Sequence, residues 1–293
     1  MAGLSDYASA AVLNWMTGQL AMPALPAVWL ALFTTAPTAD AGTGGTEVST
    51  SSTAYARTQV AGTATTNGTT ASGNATLHFA STPTWIVAGM SVRDVTASSV
   101  IPAATTVLST TGTTVVMSAN ASGAGVGGTD VIAFSAFIPA VASSGSEPST
   151  TPGLVQTNAI IAFPQASASW GTVTSFGLYD AVTTGNLLAW DYLGNFKWLP
   201  FTGTLASPSV MTATAHGYAN GDPVVVTAKY GGTLPTGTWT GVLTVANVTT
   251  DTFTAGVNAS ATGDGQVRKI VQQPIAANVT FSFAAAQLTI SLA

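Results

Sequence analysis

The sequence predicts an all-β protein: a discontinuous β-sandwich core with a short N-terminal helix and two inserted small β-sandwich modules of Ig-like type. Three observations lead to this prediction. Short runs of β-branched and aromatic residues recur along the 293 residues, separated by Gly, Pro, Asn and Asp. The densest such run lies in the middle of the chain, from Asn158 to Leu193. Apolar residues make up 46% of the chain, which excludes the composition of a disordered protein.

The charge content is unusually low and restricts the classes of partner. Only 6% of the residues are charged, against about 25% in an average protein, and the formal net charge is -5. Arg268 and Lys269 form the only adjacent basic pair, so we expect no nucleic-acid binding, which requires clustered cations. The chain has no cysteine, which excludes disulfides, thiolate nucleophiles and Cys-based metal sites.

The uncharged stretch from Tyr7 to Phe33 raises the question of a membrane helix. Pro23 and Pro26 interrupt it, whereas a spanning helix needs about 20 continuous apolar residues. No basic region of a secretory signal precedes Leu4. We therefore expect no membrane insertion and a protein that matures in the cytoplasm in which it is made, in keeping with a particle released by lysis.

The one helix candidate is Leu4–Leu20. Ser5 is the predicted N-cap, and Gly18 followed by Pro23 ends the helix. Helical spacing places several apolar side chains on one face. This face predicts either a docking helix that anchors the protein to a larger assembly or an ordinary helix packed on its own sheet. The candidate assembly residues are Leu4, Tyr7, Ala8, Ala11, Val12 and Trp15.

The core strands come from three separate parts of the chain. Their predicted ranges are Ala27–Thr34, Tyr55–Val60, Ala159–Phe163, Trp170–Tyr179, Leu187–Tyr192, Val279–Phe283 and Leu288–Leu292. The two C-terminal strands would otherwise have no sheet to join, so we expect them to pair with the central run. Residues 1–63, 135–201 and 270–293 are therefore assigned to the core, and Ser143–Pro152 reads as a linker.

Between the core parts lie two stretches with their own regularly spaced strands, 64–134 and 202–269, which we interpret as inserted β modules. In the first module the predicted strands are Ala75–Phe79, Met90–Val95, Thr105–Ser109, Thr113–Ser118 and Asp130–Phe134. In the second they are Val210–Ala215, Pro223–Ala228, Gly241–Val245 and Thr252–Ala255, with turns that include Thr262–Gly265.

Patterns that could carry chemistry are weak throughout. Gly123, Gly125 and Gly128 fit G-x-G-x-x-G, but a predicted strand rather than a helix follows, which favours a hairpin loop over a dinucleotide site. His78 and His216 fall in different predicted modules, so a shared metal site or catalytic triad would require the modules to meet.

The acidic residues give no better candidate. Asp222, Asp251 and Asp264 lie in loops without a calcium-loop pattern, and turn formation is the favoured role. Asp180 and Asp191 flank the central hairpin and could be imagined as a glycosidase pair, but no other acid lies near them in sequence. We expect no catalytic residue, no metal and no cofactor.

Most tryptophans are expected in the core. Trp239, in GTLPTGTWTG, is predicted to be more exposed, and with Tyr230 it forms the candidate for surface recognition.

Four segments together resemble a bacteriophage virion-protein family of the tail fibre or minor tail type. They are the opening LSDYASAAVLNW, then PAVWLALFTTAPTADAGTGGTEVS with AYAR, then TNAIIAFPQASASWGTVTSFGLYDAVTTGNLLAW, and finally FSFAAAQLTISLA. Two further stretches resemble mobile modules of phage fibres, one around WIVAGMSVRDV and one around AHGYANGDPVVV. The four core segments together cover roughly half of the chain, and their order and spacing are specific.

The resemblance implies a non-enzymatic structural part of a virion. It leaves two locations open, a tail-associated fibre and a capsid decoration or cement protein (head fibre) that stabilises the shell. A virion-bound glycan depolymerase is the third hypothesis, weakened by the shortage of acidic residues. The implied partners are other virion proteins, further copies of the chain (a homotrimer by analogy) and a host surface glycan or receptor.

Overall fold

The computed structural model describes residues 3–21, 27–37, 45–139, 154–194, 196–229 and 231–291. In this part of the chain the fold is all-β with one helix, α1 (Asp6–Met16), as predicted. The predicted linker Ser143–Pro152 and the recognition candidate Tyr230 lie outside the described residues.

The strands are short and follow one another along the whole described chain. In order they are β1 Gly3–Leu4, β2 Ala27–Thr35, β3 Thr46–Glu47, β4 Thr58–Thr65, β5 Thr76–His78, β6 Ser91–Asp94, β7 Val107–Thr110, β8 Thr114–Met117, β9 Val131–Ser135, β10 Phe137–Pro139, β11 Leu154–Thr157, β12 Ile161–Gln165, β13 Gly171–Val173, β14 Ser175–Tyr179, β15 Leu187–Tyr192, β16 Leu199–Gly203, β17 Val210–Thr212, β18 Pro223–Thr227, β19 Leu243–Thr244, β20 Thr252–Thr254, β21 Gly263–Lys269, β22 Gln273–Ile275, β23 Thr280–Phe283 and β24 Thr289–Ser291.

The chain divides into two compact units. The first comprises Met1–Gly171, Phe176–Asp191 and Ile275–Ala293, and the second comprises Thr172–Ser175 and Tyr192–Pro274. The predicted boundaries at 63/64 and 134/135 fall inside β4 and β9, two paired strands of the first unit. The finer division into a core and two inserted modules stays a prediction.

The first unit is built on an eight-stranded sheet. Its order is β1-β15-β14-β2-β4-β9-β6, with β3 also paired to β2. The middle of β2 is buried completely, since Leu30, Ala31 and Leu32 have no exposed surface. A strand buried on both faces reads as a continuous apolar run, which is why AVWLALF signals it in the sequence.

Smaller sheets complete the first unit: β10-β11-β24, β12-β23 and β5-β8-β7. The C-terminal strands join the middle of the chain as expected, because Ile161 of β12 pairs with Phe283 of β23. Around this pair Phe163 packs on Phe283 with ring centroids 6.4 Å apart, and Tyr55 meets the edge of Trp170 at 5.3 Å. Burial of such rings is a dominant contribution to core stability.

The second unit is built on a six-stranded sheet ordered β19-β18-β21-β16-β17-β20. A bridge between Ala246 and Thr254 joins the chain just after β19 to β20, so the sheet curls back towards its own first edge. Apolar side chains fill the interior. They include Phe201, Met211, Val224, Trp239, Phe253 and Val267.

Strands β16 and β21 of this sheet were not predicted, and one predicted turn is wrong. Thr262–Gly265 was expected to be a turn, but Gly263–Lys269 forms β21. Gly and Asp disfavour strands locally, yet β21 pairs with β16 on one side and β18 on the other. Tertiary pairing therefore overrides the local preference.

The buried backbone of β2 depends on a tyrosine. The Leu32 amide donates to the Tyr55 hydroxyl at 2.8 Å, and the Leu32 carbonyl accepts from the Val48 amide at 2.9 Å. The Tyr55 hydroxyl in turn donates to Glu47 Oε1 at 2.9 Å. Since a buried backbone group without a partner is costly, Tyr55 completes the hydrogen bonding of β2 where the strand ladder leaves it open.

Glu47 also binds Arg57, which extends the network to the turn after β14. Arg57 Nε and Nη2 donate to the two oxygens of Glu47 at 2.9 and 2.8 Å, and Nη1 donates to the carbonyls of Ala181 and Thr184. The guanidinium lies 3.6 Å from the centre of the Tyr179 ring. Burial alone would lower the pKa of Arg57, but the hydrogen bond and charge of Glu47 outweigh it and raise this pKa.

We predict that Tyr55→Phe lowers the free energy of unfolding by about 1–3 kcal/mol, because the Leu32 amide loses its buried acceptor. Tyr7→Phe is the matched control, since Tyr7 is exposed and we expect its hydroxyl to be solvated. Urea unfolding of both variants measures the difference. Equal stability of Tyr55→Phe and the parent protein would show that the hydroxyl is dispensable.

Alkaline pH supplies a second test of the same hydroxyl. Burial, followed by the charge of Glu47, raises the pKa of Tyr55 far above its usual value, and burial raises the pKa of Tyr218 to about 12. A raised pKa in the fold gives stability that is complete below the unfolded pKa of about 10 and is lost as the pH rises above it. The free energy of unfolding, measured with urea between about pH 8 and about pH 11, should therefore decline less steeply with pH for Tyr55→Phe than for the parent. Equal declines of the two free energies of unfolding would contradict a contribution of the Tyr55 hydroxyl to the pH dependence.

Candidate functional site

The N-terminal helix is attached to the first unit at its start. The Ser5 amide donates to the Leu188 carbonyl at 3.0 Å, and the Ser5 hydroxyl donates to the Leu187 carbonyl. The same hydroxyl accepts from the Ala8 amide at 3.2 Å, so Ser5 is the N-cap, as predicted. Just before it, Leu4 of β1 pairs with Ala189 of β15. The helix start is thus fixed by backbone pairing and by one buried serine.

Beyond this attachment the helix presents apolar side chains to solvent. No residue of α1 is buried. Leu13, Trp15 and Met16 are 60%, 56% and 69% exposed. Of the other candidate residues, Tyr7 is exposed, and Ala8, Ala11 and Val12 are half-buried. Leu13 was not among the candidates, because helical spacing places it off the predicted apolar face.

Such a helix is unusual on a protein surface. A helix that is apolar around most of its circumference normally lies inside a protein or an interface. An 11-residue helix also has little stability of its own in water, and tertiary packing normally provides the rest. The exposed apolar side chains of Tyr7, Leu13, Trp15 and Met16 are distributed around α1 and are here together called the helix patch. Covering them with a partner would lower the free energy of the system.

The recognition candidate Trp239 is not exposed, which corrects the sequence expectation. Its side chain is only 6% exposed and belongs to the core of the second unit. The indole nitrogen donates to the Pro235 carbonyl at 2.6 Å, and the ring packs 6.1 Å from that of Phe201. The surrounding Gly, Thr and Pro suggested a surface loop, but this loop covers the apolar interior and its tryptophan points inwards.

Of the residues considered for catalysis, His216 and Asp180 accept hydrogen bonds from nearby backbone amides. His78 lies in the first unit and His216 in the second. His216 Nδ1 accepts from the Tyr218 amide at 2.9 Å, the backbone role expected for a turn histidine. Asp180 accepts from the Asn186 amide at 2.6 Å and closes the turn before β15. The glycines Gly123 and Gly125 lie in the turns before β9, and no helix follows them.

Two of the three acids predicted to lie in loops, Asp222 and Asp264, form ion pairs, and Asp264 lies in β21 rather than in a loop. The third, Asp251, accepts from the Ala215 amide at 2.8 Å. Asp222 contacts Lys269 at 2.7 Å, and Asp264 contacts Lys229 at 2.5 Å. Burial opposes ionisation of Asp222, but Lys269 and the Ala219 amide lower its pKa. A hydrogen bond from Lys229 lowers the pKa of Asp264. Both carboxylates therefore fix loops to neighbouring strands.

In the described ranges, no three His, Asp or Glu side chains come together in a geometry suited to a metal ion. No helix in the same ranges has the length and hydrophobicity to span a bilayer.

The chain matches one protein family. The family model described as podophage GP4 fiber I protein gp80 matches residues 3–138 and 138–207, together well over half of the 293 residues. The match includes α1, the eight-stranded sheet of the first unit and the start of the second unit. A comparison with curated proteins found no match. The chain therefore belongs to the podophage GP4 fiber I protein gp80 family, a family of phage fibre proteins.

Proposed function

We propose that this protein is a non-enzymatic structural component of the virion, a tail-associated fibre or minor tail protein that displays β modules for surface contact. The observation that carries the proposal is the membership of a podophage fibre family over residues 3–207. The neutral, Thr- and Ser-rich surface is in keeping with an exposed particle protein. The roles of His216, Asp180, Asp222 and Asp264 in turns and ion pairs support a structural function.

The helix patch is the proposed docking element. Ser5 fixes the start of α1 to the first unit, while Leu13, Trp15 and Met16 are exposed. Burying aromatic and long aliphatic side chains is the typical contribution of an interface centre. We assign the helix patch, with Leu4, Ala8, Ala11 and Val12 supporting it, to contact with another virion protein.

Self-association is part of the same proposal. A chain with 6% charged residues has little like-charge repulsion to keep copies apart. Phage fibres as a class suggest a trimer, and the trimer rests on that analogy alone. The second unit, with Thr202–Lys269, is assigned to the outward-facing part that meets the host surface glycan or receptor.

The helix patch is tested by replacing its apolar side chains. We expect Leu13→Ser, Trp15→Ser and Met16→Ser together to reduce incorporation into particles by more than about tenfold, because the interface loses its apolar centre. The protein should stay folded, since no residue of α1 is buried. Incorporation is measured by immunoblotting particles made when the variant complements a phage that lacks the gene.

A matched control replaces three other exposed apolar residues of the first unit, Leu108, Ile160 and Val182, by Ser. This control should be incorporated like the parent protein. Incorporation of the helix variant at the level of the control would refute docking through α1. Fractionating heads from tails distinguishes the tail proposal from capsid decoration. A tail protein would show the loss of the helix variant in the tail fraction, whereas a head fibre would show it in tail-less heads.

The modular assignment of Thr202–Lys269 has its own test. Thr202 pairs with Asp264, and Lys269 lies five residues further along the adjacent strand β21, so the ends of the segment are roughly 17 Å apart. A flexible Gly-Ser linker of about ten residues spans this distance and can replace the segment. We expect the shortened protein to fold and to enter particles that adsorb poorly to cells. Aggregation of the shortened chain, seen by size-exclusion chromatography, would refute the modular assignment.

A further inference from the structure

The first unit contains six strands that close into a ring, here called the first ring. β4 pairs with β9, and β9 pairs with β6. A bridge between Ser91 and Thr106 joins β6 to the chain just before β7, which pairs with β8. β8 pairs with β5, and a bridge between His78 and Gly68 leads from β5 back to the chain just after β4. In chain order from β4 to β9, the neighbours around the ring are the first, sixth, third, fourth, fifth and second strands.

The six strands of the second unit close into a second ring with the same order. β16 pairs with β21, β21 with β18, and β18 with β19. The bridge between Ala246 and Thr254 leads from the chain after β19 to β20, and β17 joins β20 to β16. The neighbours are again the first, sixth, third, fourth, fifth and second strands in chain order, and all of these pairings are antiparallel in both rings.

The register of the strands and the residues in the interior agree as well. Leu77 pairs with Val115 between the second and fifth strands of the first ring, and Met211 pairs with Phe253 at the same place in the second ring. None of these four side chains has exposed surface. The third and sixth strands also place buried residues at equivalent positions, which are Val92 and Ile132 in the first ring and Val224 and Val267 in the second.

The turn before the third strand carries the same hydrogen bond in both rings. Gly89 and Gly221 have φ values of 89° and 93°, a conformation that favours glycine. The Gly89 amide donates to the Val107 carbonyl at 2.8 Å, and the Gly221 amide donates to the Val245 carbonyl at 2.8 Å. These bonds fix the third strand to the fourth in the same way in each ring.

The hairpin between the fourth and fifth strands is a second repeated turn. In the first ring the Thr111 hydroxyl accepts from the Thr114 amide at 3.0 Å, and in the second ring the Thr249 hydroxyl accepts from the Thr252 amide at 2.9 Å. The two hydroxyl oxygens of these pairs lie 2.7 and 2.8 Å apart. Strand order, register, interior positions and turn geometry therefore all agree between the two rings.

Each ring has one end that is built from three loops. The chain enters by the first strand and leaves by the sixth at one end, so antiparallel order places the loops after the first, third and fifth strands at the opposite end. The charged residues of these loops are Asp130 in the first ring and Lys229, which pairs with Asp264, in the second. The remaining polar residues are uncharged, and loops held by a rigid scaffold are a common place for recognition. Hydroxyl and amide groups match a neutral, polyhydroxylated ligand.

We infer that residues 66–130 and 201–265 are two copies of one β module, and we propose that the first copy, like the second, contacts a neutral glycan of the cell surface through its loop end. The two segments have equal length and begin and end at equivalent positions, since Ala64 pairs with Ile132 and Leu199 with Val267. The glycan role rests on the surface contact proposed above for the second unit, whereas the equivalence of the two modules stands without it. Two contact modules on one chain raise its avidity for a cell surface.

The equivalence is tested in the full chain by replacing residues 66–130 with residues 201–265, and in a second chimera by the reverse exchange. We expect the chimeras to elute like the parent protein in size-exclusion chromatography, because the exchange preserves the inward and outward alternation of the joined strands. A graft displaced by one residue, 202–266, is the matched control and should aggregate, since a one-residue slip reverses that alternation. Aggregation of both chimeras overturns the equivalence, as does a displaced graft that folds equally well.

The contact role is tested by blocking the loop end with a bulky label. The chain has no cysteine, so Ser98→Cys allows a single polyethylene glycol chain to be attached at the exposed loop after β6. We expect this label to weaken binding of the purified protein to host cells by more than about threefold, because avidity is lost. Thr113→Cys, exposed in the hairpin at the other end, is the labelled control and should bind like the parent.

Thr240→Cys places the same label on the corresponding loop of the second copy. Weaker binding with the label at Thr240 but not at Ser98 overturns the role of the first copy and leaves the proposed function in place. Unchanged binding with either label overturns the contact role of both copies. Periodate oxidation of the cell-surface sugars should abolish binding, and binding should be equal at about 0.1 and about 0.5 M NaCl. Binding that survives periodate, or that is lost in salt, overturns the neutral glycan as the ligand.

Discussion

The structure of the first unit depends on completing the hydrogen bonds of one buried strand. β2 runs through the middle of the eight-stranded sheet, and the Leu32 amide lies where no neighbouring strand supplies an acceptor. The Tyr55 hydroxyl fills this position and donates a hydrogen bond to Glu47, which holds Arg57. Arg57 then binds the carbonyls of the turn before β15. The need of the Leu32 amide for an acceptor thus connects segments from four parts of the chain. The last of these segments leads into β15, the strand to which α1 is attached.

The ion pairs named above act within the fold. The Glu47–Arg57 pair lies in the first unit, and the Asp222–Lys269 and Asp264–Lys229 pairs lie in the second. The helix patch is the place where apolar side chains are exposed on an element fixed at one end by Ser5 and β15. A phage fibre protein docked through α1 is consistent with both features.

Local sequence predicted the elements well where periodicity and caps are strong. Ser5 as N-cap and Leu187–Tyr192 were predicted as observed, and Ala27–Thr34 differs from β2 by one residue. The wrong predictions have a common cause, which is that long-range contacts decide these elements. β21 forms from a Gly- and Asp-containing segment because strands on both sides pair with it, and Trp239 is buried because its loop closes over a core.

Location on the particle is the central claim and can be measured directly. An antibody raised against Thr202–Lys269 and detected with gold in electron microscopy reports where the second unit lies on intact virions. We predict gold on projections attached to the tail. Gold distributed over the capsid would contradict the tail assignment in favour of a head fibre, and intact particles without gold would contradict display of the second unit.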